Sequence, residues 1–410
     1  MATVSTLGES HPNEALGKTR RLELVVLLGV LTAFAPLSID MYLPALPALE
    51  TYFKASEGAV QLTLALFIVG FSLGQTLYGP LTDRFGRKPP LYTGMVVYVL
   101  SSGACTLAGS VGALTVLRLL QALGACAASV ISRAMVRDLF PPNETRRVYS
   151  ALILVMGVSP LLAPMFGAYI LLWSGWKAIF ISMMTVGACA MLAMIFRLPE
   201  TLPELRPLSF RYVFDTYGQL LKDRFFLGST LAAAFSSAGM FAYIAGSPFV
   251  FINLYGVRPD RFSWFFGLNA AAVVIGAQVN GRMLHGQSPE KVMRYAAYVQ
   301  AASGAMLIAA PLVGIQSLAS IAAPLFLYLC TIGFVSPNAV AIALAEHGKV
   351  AGMASALLGT LQFSMAGIAL LALGAINSTT AFPMSAMICF CGVMGVAMHL
   401  LLMRRHPAGF

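Results

Sequence analysis

Twelve long apolar runs leave this chain very few ways to fold. They lie at roughly 24–49, 59–82, 90–110, 111–136, 148–173, 175–196, 225–252, 262–284, 292–313, 316–343, 351–376 and 380–402. A helix rises ~1.5 Å per residue, so about 20 apolar residues cross the ~30 Å hydrocarbon core of a bilayer. Lipid offers no hydrogen bonds, so each run must satisfy its own backbone and becomes a helix. The expected fold is an all-α membrane protein with twelve transmembrane helices. Charged residues make up 10% of the chain, against about 25% in soluble domains.

The formal net charge is +10, and its placement reads as topology. An even number of spans puts both termini on one side. If that side is the cytoplasm, 20 of the 26 Lys and Arg residues face it, among them Lys18, Arg20, Arg21, Arg84, Arg87 and Lys88. Lys54, Lys177, Arg258 and Arg261 fall on the other side, and Arg118 and Arg133 lie within spans. Basic residues collect in cytoplasmic loops, so both termini are expected there. No aromatic-interleaved basic groove is present, which argues against nucleic acid as a partner. The run after residue 21 is too long for a signal-peptide core, so the first span is expected to stay uncleaved. Cys105, Cys126, Cys189, Cys330, Cys389 and Cys391 sit in apolar runs with no CxxC pair or nearby His, so neither a disulfide nor a metal site is expected. His285, His347, His399 and His406 fall near the basic side and are expected to be solvated.

The longest polar interval, 197–224, carries Pro199, Pro203 and Pro207. It divides the chain into an N-terminal six-helix bundle, residues 1–196, and a C-terminal six-helix bundle, residues 225–410. The interval itself reads as a cytoplasmic linker with room for a short surface helix. The segment Gly74-Gln75-Thr76-Leu77-Tyr78-Gly79 has a partner in Gly276-Ala277-Gln278-Val279-Asn280-Gly281 at the same place in the other half. That match supports a duplicated six-span unit.

Four segments carry chemistry. The first is Gly79-Pro80-Leu81-Thr82-Asp83-Arg84-Phe85-Gly86-Arg87-Lys88, after span two. Its glycines allow a tight turn, and Asp83 is expected to face the start of span eleven near Ala351, where a helix dipole favours an anion. The second is Arg118-Leu119-Leu120-Gln121-Ala122-Leu123-Gly124 in span four. An arginine inside a span faces a partner or water, unless it snorkels to the interface. Gln121 shares its helix face. The third is Asp40, the one carboxylate well inside a span, at a kink between Pro36 and Pro44. It stands ~24 Å above the inner end of span one, and Arg118 ~20 Å above the inner face, so the two are expected at similar depth. A buried acid favours its neutral form and a nearby guanidinium favours its ionised form, so Asp40 is a candidate proton site with Arg118 as its modulator. A capping or gating role at the kink is the alternative. The fourth is Gly157-Val158-Ser159-Pro160-Leu161-Leu162-Ala163-Pro164-Met165-Phe166-Gly167 in span five, dense enough in Gly and Pro to bend a helix. Met41, Tyr42, Met240, Tyr243, Asn269 and Gln362 are candidates for a permissive wall of apolar and polar groups around a substrate.

These segments resemble known motifs. The 79–88 segment closely resembles the loop signature of the major facilitator superfamily, which implies a gate built on Gly79, Asp83, Arg84, Gly86 and Arg87. The Arg118–Gly124 segment resembles that family's span-four motif, which implies a part in proton transfer for Arg118 and Gln121. Span five loosely resembles the antiporter motif of drug exporters at Gly157, Pro160, Pro164 and Gly167. The runs Pro36–Pro47, Gln61–Leu64, Val136–Phe140, Pro199–Leu202 and Ala351–Gly359 resemble the bicyclomycin and chloramphenicol resistance branch of drug:proton antiporters. The resemblance implies a monomer in a bacterial inner membrane that exports small amphipathic drugs in exchange for protons. A proton-coupled transporter of a sugar or an amino-acid-derived metabolite is the second expectation. No paired carboxylates, His cluster, nucleophile elbow or phosphate loop appears, so neither an enzyme nor any cofactor beyond the coupling proton is expected.

Overall fold

The computed structural model of the protein describes residues 18–140, 142–202, 210–283, 287–313, 317–345, 347, 350–376 and 380–403. Helices joined by short loops make up the described residues, with no strand among them. The elements are α1 (Lys18–Asp40), a 3-10 turn (Leu43–Ala45), α2 (Leu46–Phe53), α3 (Glu57–Phe85), α4 (Lys88–Cys105), α5 (Val111–Leu139) and α6 (Pro142–Arg197). After the linker come α7 (Phe210–Lys222), α8 (Arg224–Pro248), a π-helical turn (Phe249–Leu254), α9 (Pro259–Met283), α10 (Pro289–Leu312), α11 (Leu318–Ala345), α12 (Ala351–Gly374) and α13 (Phe382–Leu402). Nine of the described helices are long and apolar enough to cross a membrane. One of the nine is α6, which parts at Gly175 (φ 76°) into two limbs; with its second limb, α4 and α10, the described spans number twelve.

Two boundaries differ from the hydropathy pattern. The first apolar run is one stretch in sequence but three pieces in space, because α1 stops at Asp40. Pro44 and Pro47 supply no N–H donors, so the chain tightens into a 3-10 turn before α2 resumes. The linker holds α7, whose Tyr217 and Leu220 pack against Leu357 and Leu358 of α12 and Phe226 of α8. Its neighbour Asp223 caps α8 by accepting from the N–H groups of Phe225 (2.7 Å) and Phe226 (3.0 Å), and its other oxygen lies 3.2 Å from His347 Nε2.

Small residues let the spans approach. Gly124, Ala125, Cys126, Ala127 and Ala128 of α5 are fully buried, and α3 and α4 both pack on them. The matched glycines of the two halves sit in matched places. A Cβ at Gly74 would press on Cys126 of α5, one at Gly276 would collide with the Cys330 carbonyl of α11, and Gly79 and Gly281 both face open space. All six cysteines are free. His399 departs from expectation: it is 7% exposed, because it lies on the inward face of α13 and not beyond its end. His11, His285 and His406 lie outside the described residues.

The halves meet along two seams, α3 on α12 and α6 on α9. The first is a row of hydroxyls. Ser72 Oγ lies 2.8 Å from Ser364 Oγ and donates to the Thr360 carbonyl at 3.1 Å, and Thr76 Oγ1 lies 3.2 Å from Thr360 Oγ1. At the face away from the basic loops the halves also touch: the 3-10 turn contacts α8 and α9, α2 contacts the π-helical turn, and Asn253 Nδ2 donates to Glu50 Oε2 at 3.4 Å. On the basic face, among the described residues, the N-terminal ion pairs stay within that half: Arg21 with Glu144, Arg197 with Glu23, and Arg87 with Asp83 and Asp138.

Candidate functional site

Between the halves lies a cavity of about 410 Å³, walled by α1, α3, α5 and α6 on one side and α8, α9, α11 and α12 on the other. Much of its wall is apolar, with Phe71, Met156, Met240, Phe241, Ile244 and Phe363 prominent. Phe363 bridges the halves, its ring centroid 4.8 Å from that of Phe71 and 5.8 Å from that of Phe241. Asp40, Tyr243, Asn269 and Gln362 all line this one space, as expected of them, and Met240 does too. Asn269 Nδ2 donates to the Tyr243 hydroxyl at 3.0 Å, and Tyr243 stacks on Phe266 at 5.7 Å. Gln75, Ser129, Arg133 and Phe363 also line it. Hydropathy had no means of choosing them, although Gln75 stands in the repeated glycine segment and Arg133 is one of two arginines inside a span.

Asp40 is 4% exposed, and its carboxyl has no hydrogen-bond or ion-pair partner among the described residues. The expected pairing with Arg118 does not form. Arg118 is fully buried on the other side of α1, donating from Nη2 to the Ser38 carbonyl (2.9 Å) and from Nη1 to Gln121 Oε1 (2.5 Å). Gln121 passes the chain on from Nε2 to Ser102 Oγ at 2.7 Å. The guanidinium lies 4.3 Å from the Phe67 ring, 4.4 Å from that of Tyr42 and 5.9 Å from that of Phe180. The reason is rotation. Two helical residues differ by ~200° about the axis, so Ser38 faces α4 and α5 while Asp40 faces the cavity. Depth along the axis was readable, but azimuth was not.

Met41 and Tyr42 are likewise corrected. Both are buried in the N-terminal half and neither lines the cavity. Tyr42 covers Arg118, and its hydroxyl lies 2.7 Å from Thr63 Oγ1. The Met41 carbonyl lies against Gly167, where any Cβ would collide with it. Gly167 thus seats the break of α1 on α6. Of the other α6 candidates, Pro160 lines the cavity and Pro164 is buried, while the surroundings of Gly157 lie outside the described residues.

The loop after α3 forms a knot around Arg87, which is 2% exposed. It donates from Nε to Asp138 Oδ2 (2.8 Å) and from Nη1 to Asp83 Oδ1 and Thr82 Oγ1 (both 2.9 Å). Asp83 therefore spends its carboxylate inside its own loop, half exposed, and its bond to Arg87 replaces the expected one to the start of α12. Gly79 and Arg84 flank the knot, and Arg84 is exposed. Gly86 has φ 86°, and a Cβ there would press on the Glu200 carboxylate. Glu200 caps α4 from the linker, accepting from the N–H of Arg87 (2.9 Å) and Lys88 (3.0 Å), and from those of Thr201 and Leu202.

Partial burial pushes the Glu200 carboxyl upward, but its four backbone N–H donors outweigh that and hold it below the usual carboxylate value. A depressed acid contributes stability above its unfolded value, and that contribution is lost as pH falls through the folded value. Glu200→Ala is expected to lower stability by about 1 kcal/mol at neutral pH, the scale of a lost helix cap. The difference from wild type should vanish on acidification below the lowered value. Thermal unfolding of the purified protein across pH measures both, and a deficit that persists in acid would oppose the capping role.

A model of the Major Facilitator Superfamily matches residues 28–370 of this chain. An uncharacterized MFS-type transporter, YdgK, of Bacillus subtilis (strain 168) is 39% identical over 382 residues, 92% of this chain and 94% of that protein. A bicyclomycin resistance protein homolog of Haemophilus influenzae is 32% identical over 384 residues, 93% of this chain and 96% of its own. The crystal structure of a D-xylose-proton symporter superposes with a TM-score of 0.74 at 16% identity, covering 95% of this chain and 98% of that one, a likeness of fold.

Proposed function

The chain belongs to the major facilitator superfamily of transporters, and from that premise we propose that it is a proton-coupled antiporter exporting small amphipathic drugs of the bicyclomycin or chloramphenicol kind. The observation that carries the reading is Asp40, an unpaired carboxyl in the wall of an apolar cavity between the two halves. An unpaired carboxylate in such a wall is costly, and a proton removes the cost. Proton and substrate therefore act on the same small space. Hydroxyl or amide donors of a drug entering beside Asp40 stabilise its ionised form, so drug entry favours loss of the proton. Release of the proton is then tied to the state of the cavity.

Other observations support the reading. The 32% identical relative named for bicyclomycin resistance supports a drug as cargo. The cavity wall of Met and Phe with a few amide and hydroxyl groups suits molecules of varied shape. The basic loops support a reading in which their face, with both termini, lies at the cytoplasmic side of a bacterial inner membrane. The contacts around Glu50 and Asn253 then seal the outside, and the cavity is loaded from within. Residues 1–196 and 225–410 are the two bodies that rock, joined by 197–224, with the Arg87 knot stiffening the cytoplasmic edge of the first. Gln121 and Arg118 act by holding α1 in place. The protein works as a monomer, since each chain contains both walls of the cavity.

Inside-out membrane vesicles test this. Respiration acidifies the lumen, and adding bicyclomycin or chloramphenicol is expected to release protons from vesicles holding the protein but not from vesicles lacking it. Silence with both drugs, in vesicles shown to contain folded protein, would sink drug antiport and move the cargo to a sugar or amino-acid-derived metabolite.

A further inference from the structure

Besides Asp40, the cavity wall holds a second charged side chain, Arg133 of α5. Among the described lining residues these two alone carry full charges. Arg133 is exposed although it belongs to a span, and Nε donates to the Ser129 carbonyl of its own helix at 3.1 Å. No carboxylate lies within ion-pair reach of it among the described residues, and its two terminal nitrogens make no hydrogen bond there. The contrast with Arg118 is informative. Arg118 is sealed by three rings and held through both terminal nitrogens by Ser38 and Gln121, with only its Nε left without a hydrogen bond among the described residues. Arg133 presents its fork to open space.

The spacing of the two charges follows from register. Thr32 Oγ1 lies 3.0 Å from Ser132 Oγ, so residue 132 of α5 is level with residue 32 of α1. Asp40 is eight residues further along α1, which places it ~12 Å deeper than Arg133. Arg133 is therefore at the basic-face end of the cavity and Asp40 at the blind end. The aromatic cluster of Phe71, Phe241 and Phe363 also lines the cavity. An intramembrane guanidinium without a partner marks a place where a ligand supplies one.

We propose that Arg133 is the anion-recognising subsite of this cavity, so that the preferred cargo is an amphipathic molecule ending in a carboxylate or a similar planar pair of acceptors. The planar fork of a guanidinium bonds such a group with two parallel N–H donors. An apolar body then extends ~12 Å toward Asp40, about the reach set by the register. A permanent cation meets Arg133 first and is turned away. The proposal rests on the export reading for its cargo but not for its test.

The test is binding to the purified full-length protein in detergent, measured by equilibrium dialysis with three probes of one shape: 4-butylbenzoate, 4-butylbenzamide and 4-butylbenzyltrimethylammonium. The benzoate is expected to bind about tenfold more tightly than the amide, the scale of one charge-assisted hydrogen bond, and the ammonium more weakly than either. Arg133→Gln is expected to abolish the benzoate's advantage over the amide while still binding the amide, which shows that the cavity is folded. A benzoate preference that survives in Arg133→Gln overturns the proposal. So does wild-type protein that binds the ammonium as tightly as the benzoate, a result that needs no variant. Failure of drug-triggered proton release in vesicles would remove the antiport reading and leave these affinities standing.

Discussion

Asp40→Asn is expected to abolish gradient-driven transport while leaving substrate exchange running. Asparagine has nearly the shape of a protonated aspartate and can never release a proton. Asp40 has no hydrogen-bond partner among the described residues, so the change orphans no neighbour and should not disturb folding. In liposomes, drug uptake driven by an imposed proton gradient should fall to the level of protein-free vesicles. Counterflow of labelled against unlabelled drug, which moves no net proton, should continue at close to the wild-type rate. Asp40→Glu keeps the acid but carries the carboxyl about one methylene further into the cavity, so its uptake should lie between the two. Full gradient-driven uptake in Asp40→Asn would remove Asp40 from coupling, and loss of counterflow would make it a substrate contact.

Arg118→Ala is expected to be the most destabilising single change in the N-terminal half, by about 3–5 kcal/mol. The side chain is among the largest fully buried ones. Truncating it leaves a void between Tyr42, Phe67 and Phe180, and strips the Ser38 carbonyl and Gln121 Oε1 of their donor. Arg118→Met separates packing from positioning. It refills the void and removes a buried charge, so it should recover most of the thermal stability. It cannot hold the Ser38 carbonyl, two residues before Asp40, so gradient-driven uptake should stay low. Uptake at the wild-type rate in Arg118→Met would reduce Arg118 to a space-filler.

How much of this was legible in the sequence depended on which coordinate was asked for. Position along the membrane normal was readable, because a run such as 316–343 has one length and one direction. The matched segments at Gly74 and Gly276 were readable for the same reason, and they mark equivalent close contacts with α5 and α11. Rotation about the axis was not readable. A helix such as α1 is apolar on all sides, so no periodicity separates the face toward the cavity from the face toward α5. That is why Asp40 and Arg118 were expected to pair, and why Met41 and Tyr42 were placed with the substrate when they belong to the packing around Arg118. The break after Asp40 was foreshadowed only by Pro36 and Pro44, whose effect depends on what lies beside them. Arg133 was visible as a charge inside a span, but only the tertiary arrangement gives it a cavity to face.

The hydroxyl row between α3 and α12 bears on speed rather than on affinity. Ser72, Thr76, Thr360 and Ser364 bond to one another across the seam, and a serine or threonine in a helix always has its own i−4 carbonyl as a substitute acceptor. When one half turns against the other, each hydroxyl can swing to that carbonyl and back without passing through an unbonded state. Two helices locked by interdigitated leucines would have to unpack to slide, whereas these can roll in small, nearly isoenergetic steps. The activation enthalpy for reorientation of the empty carrier should accordingly be low, leaving the turnover rate governed by the proton and the cargo rather than by friction between the halves.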